Sequence, residues 1–222
     1  MQKAAFFKVE GPLVRTGPVP PATYYVLNQR EFKARVSRLS GVLAAAGLSL
    51  ASPLGEAQTA TRLAWSNLRG MSEDRLHVLS EELYERQLLK ALRAPGVELV
   101  EGAKRDGYVV VLITELLDLA VAPLAKRLGA DHLVANRMEV KDGKATGRLL
   151  DPIVAQLSGQ WANAFAKEHD IDLAQSLAYG ASGGDALLLS AVGNPCVVHP
   201  DWRLRKIAKD HHWPIVESEA RG

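Results

Sequence analysis

The sequence is almost without cysteine, and this scarcity excludes several kinds of protein. Cys196 is the single cysteine among 222 residues, so the chain cannot form an internal disulfide or a metal centre built from several thiolates. Such low cysteine use fits a reducing compartment, and we expect a cytoplasmic protein. Cys196 itself stands in an apolar run, which indicates a core thiol of low reactivity.

Long hydrophobic runs and an excess of one charge are also missing. The longest purely apolar run, residues 109–113, is far shorter than the roughly 20 residues that a membrane-spanning helix needs. The first residues do not combine a basic stretch with a long apolar one, so we expect no signal peptide. The net charge is only +2 and the basic residues are scattered, so we expect no nucleic-acid partner.

The residues that are abundant predict an α/β protein. Hydrophobic residues make up 47% of the chain and charged residues 23%, as in ordinary globular domains. In the second half of the chain, short apolar runs alternate with helical patterns, which predicts a parallel sheet with helices on both faces. The predicted strands are residues 4–9, 108–113, 131–136, 173–179 and 195–199, and the predicted helices are 97–105, 115–128, 154–169 and 202–210.

Two further segments differ from this alternation. Residues 23–92 are rich in Ala, Leu, Arg and Glu, and Ser72 followed by two acidic residues predicts the start of a helix. We therefore predict two domains, an α/β core at residues 1–20 and 93–222 and a helical cap at residues 21–92. Asp142-Gly143, within residues 138–149, predicts a β-hairpin.

The sheet topology predicts where a functional site lies. Ligands of open parallel sheets bind at the carboxyl ends of the strands. Those ends carry residues 8–12, Thr114 and residues 180–185. We expect these segments to line one cleft, with the helical insert above it.

Four segments resemble the haloacid-dehalogenase-type phosphatases. FFKVEGPLVRT at residues 6–16 resembles their first motif, Asp-x-Asp-Gly-Thr-Leu, and residues 109–133 resemble the second motif, a strand that ends in Ser or Thr. The hairpin VKDGKATGRL and the segment 173–215 are similar to the phosphoserine-phosphatase-like branch, including its fourth motif. The resemblance implies a Rossmannoid three-layer core with a helical cap inserted after the first strand.

The resemblance also implies a chemistry, from which this sequence departs. The family uses an aspartate nucleophile, a second aspartate that carries protons, and Mg²⁺ held by carboxylates. Lys8 stands at the nucleophile position and Glu10 at the proton carrier, while the third-motif lysine falls near Ser158 and the metal-binding aspartate is Ala181. We predict that no catalytic motif is intact, that the family Mg²⁺ site is lost, and that no cofactor is used.

Lys8 is the departure with the largest electrostatic effect. Two like unit charges about 4 Å apart repel by about 4 kcal/mol at an effective dielectric near 20, and a divalent ion is repelled more strongly. We expect the Lys8 ammonium to take the metal position and to pair with Glu10, Asp185 or both. The alternative is that Lys8 points into solvent from a strand end.

The predicted ligand-binding residues are Lys8, Glu10, Thr114 and Asp185. Thr114 could bind an anion or serve only packing, and Asp185 could instead cap a helix at residues 186–192. Adjacent helical residues point about 100° apart, so we expect no metal at His211-His212.

Three functions remain open from the sequence. The main hypothesis is a catalytically degenerate phosphatase-like protein, a pseudophosphatase, that binds a partner protein or a small anionic ligand. The alternative is a residual or altered phosphomonoester hydrolase of the phosphoserine-phosphatase type. A homodimer formed through the helical insert is a further possibility.

Overall fold

A seven-stranded sheet organises the described part of the protein. The computed structural model describes residues 1–16, 19–28, 57–150 and 159–217. The sheet order is β4-β3-β2-β1-β5-β6-β7, and neighbouring strands are parallel except for the antiparallel hairpin of β3 and β4. This confirms the predicted α/β class. The strands are β1 Ala4–Lys8, β2 Val109–Leu117, β3 His132–Lys141, β4 Lys144–Leu150, β5 Leu177–Gly180, β6 Asn194–Val198 and β7 Ile215–Val216.

Helices connect these strands, and several of them lie within the predicted cap at residues 21–92, of which residues 29–56 are outside the described ranges. Ser72 begins α3 as its N-cap, and its side chain accepts a hydrogen bond from the Arg75 backbone amide. The domain boundaries at residues 20 and 92 remain a prediction. In the described ranges no helix is both long and apolar enough to cross a membrane. The helices are α1 Val19–Leu27, α2 Ala57–Ser66, α3 Glu73–Leu83 with a π-helical continuation Tyr84–Leu88, α4 Ala94–Arg105, α5 Asp118–Leu128, α6 Gly159–Glu168, α7 Ala186–Leu189 and α8 Trp202–Asp210.

The central strand β1 is buried on both faces. Phe7 stacks on Tyr179 with ring centroids 4.4 Å apart, while Phe6, on the other face, meets the edges of Trp161 and Phe165. Side chains alternate between the faces of a strand, so a strand covered on both sides must be apolar throughout. The exception is its last residue, Lys8, which is buried with the others.

The structure differs from the sequence-based boundaries at two strands. β2 was expected to end at residue 113, but it continues to Leu117 through an irregular pairing with β3, and α5 starts only at Asp118. The predicted strand 173–179 begins at Leu177, because Leu173–Gln175 forms a 3₁₀ turn. The predicted hairpin is present, and Asp142 and Gly143 take the positive φ angles of its turn.

Replacing Phe6 tests the two-sided burial of β1. We expect Phe6→Ala to lower the free energy of unfolding by about 3–5 kcal/mol, because a fully buried ring leaves a cavity against Trp161 and Phe165. Trp202, which is 72% exposed, provides the control. Trp202→Ala should change the free energy of unfolding by less than about 0.5 kcal/mol. Urea denaturation measures both, and equal losses would contradict the assignment of the core.

Candidate functional site

A cleft of about 420 Å³ lies at the carboxyl ends of β1, β2 and β5. Lys8, Glu10 and Glu115 line its floor, and Ala181 and Ser182 border it from the loop after β5. Its rim carries three basic side chains, Arg15, Arg93 and His199. The first and fourth motif segments therefore line one cleft, as predicted.

A buried ion cluster forms the floor. The Nζ atom of Lys8 lies 3.6 Å from Glu10 Oε2, 3.6 Å from Glu115 Oε1 and 3.9 Å from Asp185 Oδ1. The Lys8 side chain is only 3% exposed. The predicted pairing of Lys8 with Glu10 and Asp185 is present, and the solvent-facing alternative is wrong. Glu115 is an additional partner that the sequence reasoning missed.

The cluster keeps Lys8 positively charged. Burial alone lowers the pKa of Lys8, but Glu10, Glu115 and Asp185 together raise it, and the net pKa is above the ordinary value for lysine. The side chain is therefore an ammonium at neutral pH. An ammonium has no lone pair, so Lys8 cannot act as a nucleophile there.

Glu10 is held in place by β2. Its Oε1 atom accepts hydrogen bonds from the Thr114 hydroxyl at 2.6 Å and from the Glu115 amide at 2.8 Å, while Oε2 faces Lys8. Thr114 is fully buried, and its oxygen also accepts a bond from the Leu116 amide. Thr114 thus orients Glu10 and is not part of the cleft lining.

Asp185 combines a structural role with its contact to Lys8. Its Oδ2 atom accepts hydrogen bonds from the amides of Ala181 and Ser182 and from the Ser182 hydroxyl. These bonds close the 3₁₀ turn Gly183–Asp185 as a capping box. The helix expected at residues 186–192 begins at Ala186 with Asp185 in the N-cap position, but it ends at Leu189 and the Asp185 side chain makes no cap hydrogen bond to it.

The loops after β1 and β5 touch at Gly11 and Ala181. Gly11 has φ +94°, and a Cβ atom at this position would lie 2.2 Å from Ala181 Cβ. Only glycine tolerates both conditions. The remaining predicted motif residue, Ser158, lies outside the described residues.

Comparisons with known proteins show the family of this chain. A family model described as haloacid dehalogenase-like hydrolase matches residues 11–190. A phosphoserine phosphatase of Mycobacterium tuberculosis is 31% identical over 155 residues, which are 69% of this chain and 50% of the relative. The chain spans about half the length of the curated relatives it matches.

Solved structures share the fold over nearly the whole chain. A Bordetella pertussis protein of unknown function has a TM-score of 0.82 at 24% identity, covering 97% of this chain and 98% of that one. A substrate-bound phosphoserine phosphatase has a TM-score of 0.73 at 20% identity, covering 98% of this chain and 94% of that one. At these identities the likeness shows the fold alone.

The prediction that this chain has lost the family Mg²⁺ site and uses no cofactor is wrong, because the phosphoserine phosphatases related to it use Mg²⁺. The prediction rested on the carboxylates missing at positions 8 and 181. It did not include Glu115, which brings a further carboxylate to the floor.

The floor residues fit a hard cation in kind and in charge. Three carboxylates face one ammonium, so Lys8 offsets only one of three formal negative charges. Glu10 Oε2 is buried without a hydrogen-bond partner in the described part of the chain. No group of three or more metal-binding side chains is preassembled within those ranges, but Mg²⁺ commonly needs only one or two carboxylates, with water and phosphate completing its shell. Glu10, through Oε2, is the residue that would hold it, and this leaves Glu115 for proton transfer.

Removing the Lys8 charge should destabilise the protein strongly. We expect Lys8→Met to lower the free energy of unfolding by about 3–5 kcal/mol, because three carboxylates are left together without their cation. Thermal and urea denaturation at neutral pH measure this loss.

Lys141→Met is the matched control for this experiment. Lys141 pairs with Glu139 at 3.3 Å, but its side chain is 65% exposed, and a surface pair contributes less than about 1 kcal/mol. Equal stability losses in the two variants, or a Lys8→Met protein as stable as the wild type, would contradict the buried ion cluster.

Proposed function

Because the chain belongs to the haloacid dehalogenase-like hydrolase family, we propose that it is an altered phosphomonoester hydrolase of the phosphoserine-phosphatase type. The observation that carries this proposal is the cluster of Glu10, Glu115 and Asp185 around Lys8 at the carboxyl edge of the sheet. The cluster retains the carboxylates and a fixed positive charge that phosphoryl transfer uses. The alteration is the missing nucleophile at position 8.

Water replaces the protein nucleophile in this proposal. Lys8 is an ammonium, and the Ala181 side chain carries no reactive group, so neither forms a bond to phosphorus. The oxygen of a water molecule attacks the phosphorus atom while the ester P–O bond breaks. The water proton passes to a carboxylate, and the departing alkoxide takes a proton from solvent.

Glu115 is the better placed base of the two floor glutamates. Glu10 Oε1 already accepts two hydrogen bonds, and its other oxygen is buried against Lys8. The Glu115 side chain is 22% exposed and lines the cleft. A carboxylate in contact with the cleft can accept a proton from water bound there.

The remaining floor residues hold neighbouring groups in position and neutralise negative charge. Thr114 holds Glu10, and Asp185 holds the turn of residues 182–185 beside the cleft. Lys8 provides a positive charge whose position is set by its three carboxylate partners. Glu10 would hold Mg²⁺, which would supply further charge neutralisation for the phosphoryl oxygens.

A second candidate function is binding without turnover, and one observation favours it. The residue at the family's nucleophile position is a buried ammonium with a raised pKa. In that case the cleft would recognise a small anionic ligand or a partner protein as a pseudophosphatase. A homodimer and a cytoplasmic location remain predictions from the sequence.

Hydrolysis by the purified protein tests the proposal. We expect release of inorganic phosphate from a panel of phosphomonoesters, including phosphoserine, in the presence of Mg²⁺. Glu115→Gln should lower kcat at least about 100-fold, because positioned general bases contribute about 10²–10⁴-fold. Colorimetric measurement of phosphate over time gives both values.

Glu98→Gln is the matched control, since Glu98 is exposed on α4 and away from the cleft lining. It should keep the wild-type rate. If the wild type binds a phosphomonoester in calorimetry but releases no phosphate, the binding-only function replaces the hydrolase. Turnover that Glu115→Gln leaves unchanged would overturn the assigned base.

A further inference from the structure

The rim of the cleft carries basic residues that the proposed hydrolysis does not use. Arg15 and Arg93 lie on two backbone segments that meet at an antiparallel bridge between Val14 and Leu92. The Arg15 amide donates to the Ala91 carbonyl at 2.9 Å, and the Arg93 amide donates to the Leu13 carbonyl at 2.8 Å. The backbone therefore fixes both arginines at the cleft, which each of them lines.

His199 adds a third basic group from another part of the fold. It follows β6, has a positive φ of 48°, and donates its amide to the Val216 carbonyl of β7 at 3.0 Å. A left-handed conformation is uncommon for a residue other than glycine and costs about 1 kcal/mol or more. Three separate chain segments thus bring basic side chains to one side of the cleft.

The rim arginines differ in their ion pairing from other arginines of the described ranges. Within the described part of the chain neither Arg15 nor Arg93 forms an ion pair, whereas Arg137, Arg148 and Arg205 each do. The Nε atom of Arg93 is buried and has no hydrogen-bond partner in those same ranges. A buried hydrogen-bond donor without an acceptor is uncommon in folded proteins.

The basic groups also repel one another. Burial and the neighbouring Arg15 lower the pKa of Arg93. Burial and the neighbouring Arg93 lower the pKa of His199, and Arg15 lowers it further. Glu217 raises this pKa and offsets part of the decrease. Asp201 lines the cleft too, but its carboxylate oxygens accept the amides of Gly183 and Leu204. The lowered pKa leaves His199 mostly neutral at pH 7, so the positive excess at the rim comes from Arg15 and Arg93, which outnumber the Asp201 carboxylate.

We propose that Arg15, Arg93 and His199 form a binding site for a phosphate dianion at the rim, separate from the carboxylate floor. Guanidinium groups match phosphate oxygens in geometry and charge, and Arg15 and Arg93 both line this side of the cleft. The phosphate is either a second phosphate group of the ligand or free inorganic phosphate. This site requires only binding, so it stands or falls independently of the proposed hydrolysis.

Titration with inorganic phosphate tests the rim site. In isothermal calorimetry without Mg²⁺ and with EDTA present, we expect saturable binding to the wild type that weakens as NaCl is added. Arg15→Gln and Arg93→Gln should each raise Kd at least about tenfold, because each removes a charge-assisted hydrogen bond. Unchanged affinity in both variants, or no binding to the wild type, would overturn the proposal.

Arg127→Gln is the matched control, because Arg127 is exposed in the last turn of α5 and is not part of the cleft lining. It should leave Kd unchanged. Because the rim arginines repel each other, their Gln variants should keep or raise the melting temperature. A lower melting temperature together with wild-type phosphate affinity would instead assign these arginines a purely structural role.

A bisphosphate distinguishes the two sources of the phosphate. If the rim takes a second phosphate of the ligand, propane-1,3-diol bisphosphate should bind at least about tenfold more tightly than its monophosphate, and Arg93→Gln should remove the difference. If the rim takes free phosphate, the two compounds bind alike and inorganic phosphate competes with both. Either pattern supports a rim phosphate site, provided that Arg93→Gln weakens binding.

Discussion

The burial of one ammonium determines the arrangement of the candidate site. Lys8 ends a strand that is covered on both faces, so its charge can remain only if nearby carboxylates compensate the loss of water. Glu10 comes from the loop after β1, Glu115 from β2 and Asp185 from the turn after β5. A single electrostatic requirement therefore ties three neighbouring strands together at their carboxyl ends, and Thr114 and Ser182 orient two of the carboxylates.

The charge distribution of the cleft separates two tasks. The floor is negative, because three carboxylates outnumber Lys8, and the rim is positive because of Arg15 and Arg93. A cation is favoured at the floor and an anion at the rim. The motif resemblance implies a carboxylate nucleophile at position 8, whereas the proposed reaction keeps the floor carboxylates for the cation and for proton transfer.

The sequence predicted the parts of the molecule that depend on local patterns. The apolar runs predicted the sheet because strands buried on both faces allow few polar residues, and the motif resemblance brought Lys8, Glu10 and Asp185 together. Glu115 was missed because a helix was expected to begin there, whereas an irregular pairing with β3 lets β2 continue to Leu117. The rim was missed because Arg15 and Arg93 are 78 positions apart in the sequence and meet only through the Val14–Leu92 bridge.

The ion cluster also limits the evolutionary routes open to this chain. A single change from Lys8 to aspartate would restore the nucleophile of the family, but it would place a fourth carboxylate beside Glu10, Glu115 and Asp185 with no ammonium left among them. Intermediates that pass through this state would lose stability before they gained activity. The three carboxylates around position 8 therefore select for a cation there, and a single change to aspartate would remove the charge on which their packing depends.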